Sequence, residues 1–209
     1  MNVIDTLPEP EKLKKLLKIL SSLNIVLCTE EWLRYHRFVS EFDKNVSLAS
    51  IDNGSGDDLF IIFAPQGTII KGFDHESEIS PYARDEHEVW PGIYEEVPTS
   101  LLSFLEDEAI NKDDVTFCFW RENNDLTWQK GKVEIPAGAE DGSDFLLGTI
   151  FGTAEDFVEF AEGYFEITLP LEIIAKVYEG AAITKEMIEA LNPDGDVEKI
   201  LRELTELDS

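Results

Sequence analysis

A chain of 209 residues that is 43% hydrophobic and 29% charged has the aliphatic and aromatic content of a folded globular protein, which excludes a disordered tail or a low-complexity linker. Its 44 acids against 17 bases give a net charge of −27, and such a field repels phosphate backbones and anionic lipid. Nucleic acid and membrane surfaces are therefore excluded as expected partners, leaving a basic protein, a cation or a neutral ligand, or an acidic surface that only keeps the chain in solution.

The acids are concentrated. Residues 1–50 carry seven Lys and Arg against seven Asp and Glu, so the remaining 159 residues carry the whole of the −27, as ten bases against 37 acids. The opening MNVIDTLPEPEKLKK has no basic segment leading into an apolar run, and no apolar stretch reaches the roughly 18 residues that span a bilayer, so the cytoplasm is the expected location. Cys28 and Cys118, far apart and each in an apolar run, are expected as buried reduced thiols.

In chain order, Leu13, Leu16, Leu17, Leu20 and Leu23 fall at helical spacing within Glu11–Leu23, with lysines opposite, which predicts an amphipathic helix. After the apolar run Ile25–Cys28, Thr29 is placed to cap a second helix reaching about Phe42, with Trp32, Tyr35, His36 and Val39 on one face and His36 a satisfied interior histidine. Val46–Ile51 alternates as a strand. Asp52–Asp58 then supplies a glycine turn into Leu59–Ala64, apolar on both sides and so a central strand. Pro65-Gln66-Gly67 turns the chain back into Thr68–Phe73, completing an antiparallel meander. A phosphate-cradling role for NGSG is disfavoured, because Asp52, Asp57 and Asp58 would repel the phosphate and no GK[ST] follows.

Residues 74–96 show no periodicity. A 23-residue segment of this kind inside a compact domain is commonly either functional or disordered, and its large aromatic rings argue for order, so it is the candidate functional surface. Asp74, His75, Glu76, Asp85, Glu86, His87 and Glu88 are of the types that ligate a divalent ion, and Tyr82, Trp90 and Tyr94 are of the types that stack on a ring. His75 and His87 stand twelve apart and belong to no HExxH-like cage, so neither a metal nor a cofactor is expected. The loop is expected to fold across the sheet edge, with Trp90 partly buried and Asp85, Glu86 and Glu88 in solvent.

Pro98 is placed to start a helix over Leu101, Leu102, Phe104 and Leu105. Strands are expected again at Val115–Trp120, at Leu126–Ile135 with Gly131 as a bulge, and at Phe145–Phe151 after a flexible GAEDG loop. Thr153 with Asp156 opens a helix carrying Phe157, Phe160, Ala161, Tyr164 and Phe165 inward. Pro170, Thr184 and Asp196 open three more, the last with Val197, Ile200, Leu201, Leu204 and Leu207 on a face. The expected fold class is thus α+β: a mostly antiparallel sheet with helices on one face and a C-terminal helical region. Residues 1–168 form the α+β domain and 169–209 a helical extension packed on it.

The segment ASIDNGSGDDLFIIFAPQGTIIKGFDHES, followed after a loop by LLSFLED, resembles the central portion of SUKH-type proteins, the bacterial immunity and knob-regulator superfamily. The resemblance covers residues 46–107. It implies a non-catalytic protein that binds and neutralises a basic partner such as a co-encoded toxin, which agrees with the acidic charge. Two other readings stand beside it: a metal-dependent or acid/base hydrolase using Asp74, His75 and His87, and a ligand-binding domain of another kind. The oligomeric state is not legible from the sequence.

Overall fold

The computed structural model describes residues 3–208; Met1, Asn2 and Ser209 of the domains expected above lie outside them. Among the described residues are seven α-helices and one six-stranded antiparallel sheet, an α+β fold with C-terminal helices. The strands are β1 (His36–Asp43), β2 (Val46–Asp52), β3 (Asp58–Ala64), β4 (Gly67–Phe73), β5 (Phe117–Glu122) and β6 (Gln129–Lys130), and they lie in the sheet in chain order. Each strand therefore pairs with the one made just before it. None of the described helices is long and apolar enough to cross a membrane.

Helix α1 (Pro10–Leu27) begins with proline at its first turn and buries Leu13, Leu17, Leu20 and Leu23. It runs four residues beyond the predicted end, because the Ile25-Val26-Leu27 run continues the buried stripe rather than starting a strand. Its C-terminal turn is tied to the sheet by Asn24, which is fully buried. The Asn24 side-chain oxygen accepts from the backbone N–H of Tyr35 at 3.0 Å and of His36 at 3.3 Å, and its amide donates to the Leu20 carbonyl.

Those two bonds hold Tyr35 and His36 extended, and here the sequence reading is corrected. The expected second helix is a single 3-10 turn, Glu31–Leu33, followed by β1. Of the residues expected on one helical face, Tyr35 and His36 are buried, whereas Trp32 is 72% exposed and Val39 faces solvent. The signal that betrays the strand is the turn after it: Asn45 adopts left-handed φ 60, a conformation Asn tolerates, and joins β1 to β2 as a hairpin.

The sheet is covered on both sides, which is why β3 reads as an unbroken apolar run. On one side Ile51, Leu59, Ile61, Phe63, Ile70, Phe117 and Phe119 share a core with α1 and with α4 (Ala154–Phe165), α5 (Leu171–Tyr178), α6 (Lys185–Leu191) and α7 (Val197–Asp208). On the other side Leu48, Ile62, Ile69, Cys118 and Trp120 pack against the segment between β4 and β5, through Ile93, Val97, Leu101, Leu105 and Ile110. Where one helix was expected after Pro98, that segment has the short α2 (Thr99–Leu102) followed by a 3-10 turn, Ser103–Glu106.

Two further expectations are corrected by the structure. The strand expected over Leu126–Ile135 pairs only at Gln129 and Lys130. Beyond it Gly131 lies so close to residue 92 that a Cβ there would sit 1.9 Å from the Gly92 carbonyl oxygen, and a Cβ on Gly92, at φ +90, would sit 2.3 Å from the Lys132 carbonyl oxygen. The two backbones cross in contact, which ends the pairing. The strand expected over Phe145–Phe151 is instead α3 (Ser143–Leu147), started by Gly142 at φ 78 and by Asp141, whose carboxylate accepts from both the N–H and the hydroxyl of Ser143. The caps of α4 and α6 form as read, with Thr153 accepting from the Asp156 N–H and Thr184 from that of Met187. Both cysteines are free and buried.

Candidate functional site

The loop 74–96 leaves β4 and folds over the second face of the sheet, not across its edge, because Ile93 and Val97 have apolar partners there. Its start is fixed by carboxylate and hydroxyl hydrogen bonds. Asp74 is half-buried; its N–H donates to Thr116 Oγ1 and its carboxylate accepts from the Glu76 N–H. Ser77 donates to the Glu140 carbonyl, and Ser80 caps the 3-10 turn Pro81–Ala83 by accepting from the Tyr82 N–H.

His75, solvent-exposed, is latched to the glycine turn before β3. Its N–H and its Nδ1 both reach Asp57 Oδ1, at 2.9 and 2.7 Å, while Asp57 Oδ2 accepts from Asn53 at 2.6 Å. Because a carboxylate only accepts, Nδ1 carries the proton in this pair. Hydrogen bonding to Asp57 raises the His75 pKa, and the charges of Asp57, Glu76 and Asp74 add to it. Burial pushes the Asp57 pKa up, but its bonds from His75 and Asn53 prevail and hold it below the ordinary value.

Asp57, Asp74 and His75 are the one trio of metal-ligand types among the described residues, their ligand atoms all within 4.8 Å of one another. The 2.7 Å contact between Nδ1 and Oδ1 is a hydrogen bond, so a cation could enter only by displacing that proton and opening the latch. His87 does not join this group. It pairs with Asp114 at 3.2 Å and lies edge-on to Tyr82, with ring centroids 4.6 Å apart. Hydrogen bonding to Asp114 also pushes the Tyr82 phenol upward.

Tyr82 is 62% exposed, and Glu76, Asp85, Glu86 and Glu88 lie in solvent. Beneath them the loop is pinned. The Arg84 guanidinium lies 5.1 Å from the Trp90 ring centroid and donates to the Glu88 and Val89 carbonyls. Trp90, half-buried, donates from Nε1 to the Glu134 carbonyl at 3.2 Å. Tyr94 belongs to the loop's interior, its hydroxyl donating to the Lys112 carbonyl at 2.6 Å and its pKa driven up by burial, so it offers no ring to a ligand. Across residues 74–96 eight acids face a single base, Arg84.

The residue that sequence reading missed is Lys71 on β4, among the largest fully buried side chains. Its ammonium meets Asp58 at 2.9 Å and the Ile110 carbonyl at 3.3 Å, with the Phe60 ring 5.2 Å away. Burial pushes Asp58 up and Lys71 down, and each charge offsets the shift of the other. The only sequence signal was a lysine inside an apolar strand run.

No serine, threonine or cysteine is hydrogen-bonded to any of the three histidines through its hydroxyl or thiol among the described residues. The loop presents exposed acids over hydrogen bonds from Arg84, Trp90 and Tyr94. Comparison of the chain with protein-family models, with curated proteins and with solved structures gives no match.

Proposed function

We propose that the protein is a non-catalytic binding protein of the immunity type, and that the outer side of the 74–96 loop receives a basic protein partner. The observation that carries this reading is the pairing of exposed, unbridged Asp85, Glu86 and Glu88 with the fixed Arg84–Trp90–Glu134 anchor beneath them. Charges held on an ordered backbone meet a partner with little loss of chain entropy on docking, and they accelerate encounter with an oppositely charged surface. The SUKH-type resemblance over residues 46–107 supports the same class of function. The hydrolase reading has less behind it, since Asp74 and His75 are engaged with Thr116, Glu76 and Asp57 while His87 is paired with Asp114.

The test is Asp85→Ser/Glu86→Ser/Glu88→Ser in the full chain. Surface sites of this kind should change folding stability by no more than about 0.5 kcal/mol by urea denaturation. Partner recovered by affinity capture from host lysate at low salt should fall sharply, and for the parent chain capture should weaken as salt rises. Normal capture by the folded triple variant sinks the assignment of this surface.

A further inference from the structure

We infer that the cleft between α1 and the Val3–Thr6 turn binds a single-chain aliphatic carboxylate. This cavity, about 560 Å³, lies within the size of small-molecule sites and is walled by Leu7, Leu16, Ile19, Leu147 and Ile150, with Tyr178 at its side. It is formed on the helical side of the sheet and owes nothing to the acidic loop.

Four lysines line the exposed flank of α1, and two are engaged: Lys14 lies 5.7 Å over the Phe63 ring and Lys18 pairs with Asp208 at 3.9 Å. The other two, Lys12 and Lys15, border the cleft, are exposed, and have no carboxylate within ion-pair distance among the described residues. Lys12 and Lys15 thus set two unpaired cations one helical turn apart over an apolar hollow. Asp144 is the one acid among the lining residues. The lining hydroxyls are already committed, that of Thr6 to the Val3 carbonyl and that of Tyr178 to the Phe151 carbonyl.

The hollow continues. Lys15 and Ile19 also border a second cavity of about 470 Å³, walled by Val177, Ile183, Leu201 and Leu204. The recognition chemistry therefore consists of one cationic spot beside two adjoining apolar chambers. A small inorganic anion would meet the lysines and leave both chambers empty of apolar contact; a neutral hydrocarbon would leave the lysines unused. A molecule with one carboxylate head and a long aliphatic tail satisfies both.

The experiment is calorimetric titration of the full chain with dodecanoate, with acetate and dodecyltrimethylammonium as comparison ligands. Saturable one-to-one binding of dodecanoate is expected, with acetate and the cationic detergent bound far more weakly. Lys12→Glu/Lys15→Glu, which alters exposed unpaired side chains, should unfold at the same urea concentration as the parent yet bind dodecanoate roughly tenfold more weakly or worse. Amide shifts on titration should cluster at residues 3–19 and 147–152. Failure to bind dodecanoate, equal binding by the double variant, or equal binding of the cationic detergent would each overturn the inference. So would co-sedimentation with phosphatidylglycerol vesicles without uptake of free dodecanoate, which would assign the lysines to a membrane surface.

Discussion

On one face of the sheet α1 and α4–α7 bring backbone that is already hydrogen-bonded within each helix, so their side chains are free to pack: Leu13, Leu20, Phe157, Ile174 and Ile188 are all fully buried there. On the other face residues 74–116 bury a smaller apolar set with hardly any regular structure, and their backbone must find partners one by one. Asp74, Ser77, Ser80, Asp107 and Thr116 serve that need with their side chains. The same sheet thus carries a self-sufficient cover and one stitched by polar side chains, and the stitched cover is the one that displays the acids.

The largest expected loss on the second face is at Lys71. Asp58→Ala should strand a buried ammonium and cost about 3–5 kcal/mol in urea denaturation, and adding Lys71→Met should recover much of it. Phe157→Ala on the helical face should cost a similar ~3–5 kcal/mol, as a cavity that no charge change can rescue. If Lys71→Met fails to rescue, the pair is not the weak point of the second face.

The next effect belongs to the helical face and to pH. His36 Nε2 meets the Thr149 carbonyl at 2.9 Å and must donate to it, which leaves Nδ1 as acceptor for the Asn24 amide at 3.1 Å; the ring is therefore neutral. Burial lowers its pKa to about 4. A histidine depressed in the folded state favours folding fully above its ordinary 6.5, and that contribution is lost as pH falls from 6.5 to 4. The loss is about 3 kcal/mol from that difference. His36→Gln should remove this part of the pH dependence, and an unchanged slope would refute the tautomer assignment.

The smallest effects compare the caps. Thr153→Ala should cost about 1 kcal/mol, because it frees a donor on a three-turn helix, whereas Ser80→Ala, capping one 3-10 turn, should cost about 0.5 kcal/mol or less by thermal melting. Equal costs would mean that the loop is as cooperative as the helices.

The same contrast explains what the sequence revealed. Periodicity and caps announce elements whose partners are local, and so the meander from Val46 to Phe73, α1, and the helices opened by Thr153, Pro170 and Thr184 were legible. Where a distant residue decides, they were not. His36–Asp43 is a strand because Asn24 fixes its first residues from another element, and Leu126–Ile135 stops short because Gly92 crosses it. At the candidate site residue type was legible but partnership was not: nothing local in the sequence tells that His75 meets Asp57 while His87 meets Asp114. Lys71 escaped because a lone lysine among apolar residues carries no periodic signal.

The neighbour-by-neighbour strand order also bears on timing during synthesis. As the chain leaves the ribosome, each new strand finds its mate already waiting, so the sheet can assemble in step with translation. Helix α1, made before these strands, gains β1 and β2 early, but its other flank packs on α5, α6 and α7, which emerge after the sheet. Until α7 arrives and Ser40 donates to the Leu207 carbonyl, the leucines of that flank stay open to water. Between the emergence of β2 and that of α7 the nascent chain is therefore open to association with its own copies, and the closing of α7 against α1 ends that interval.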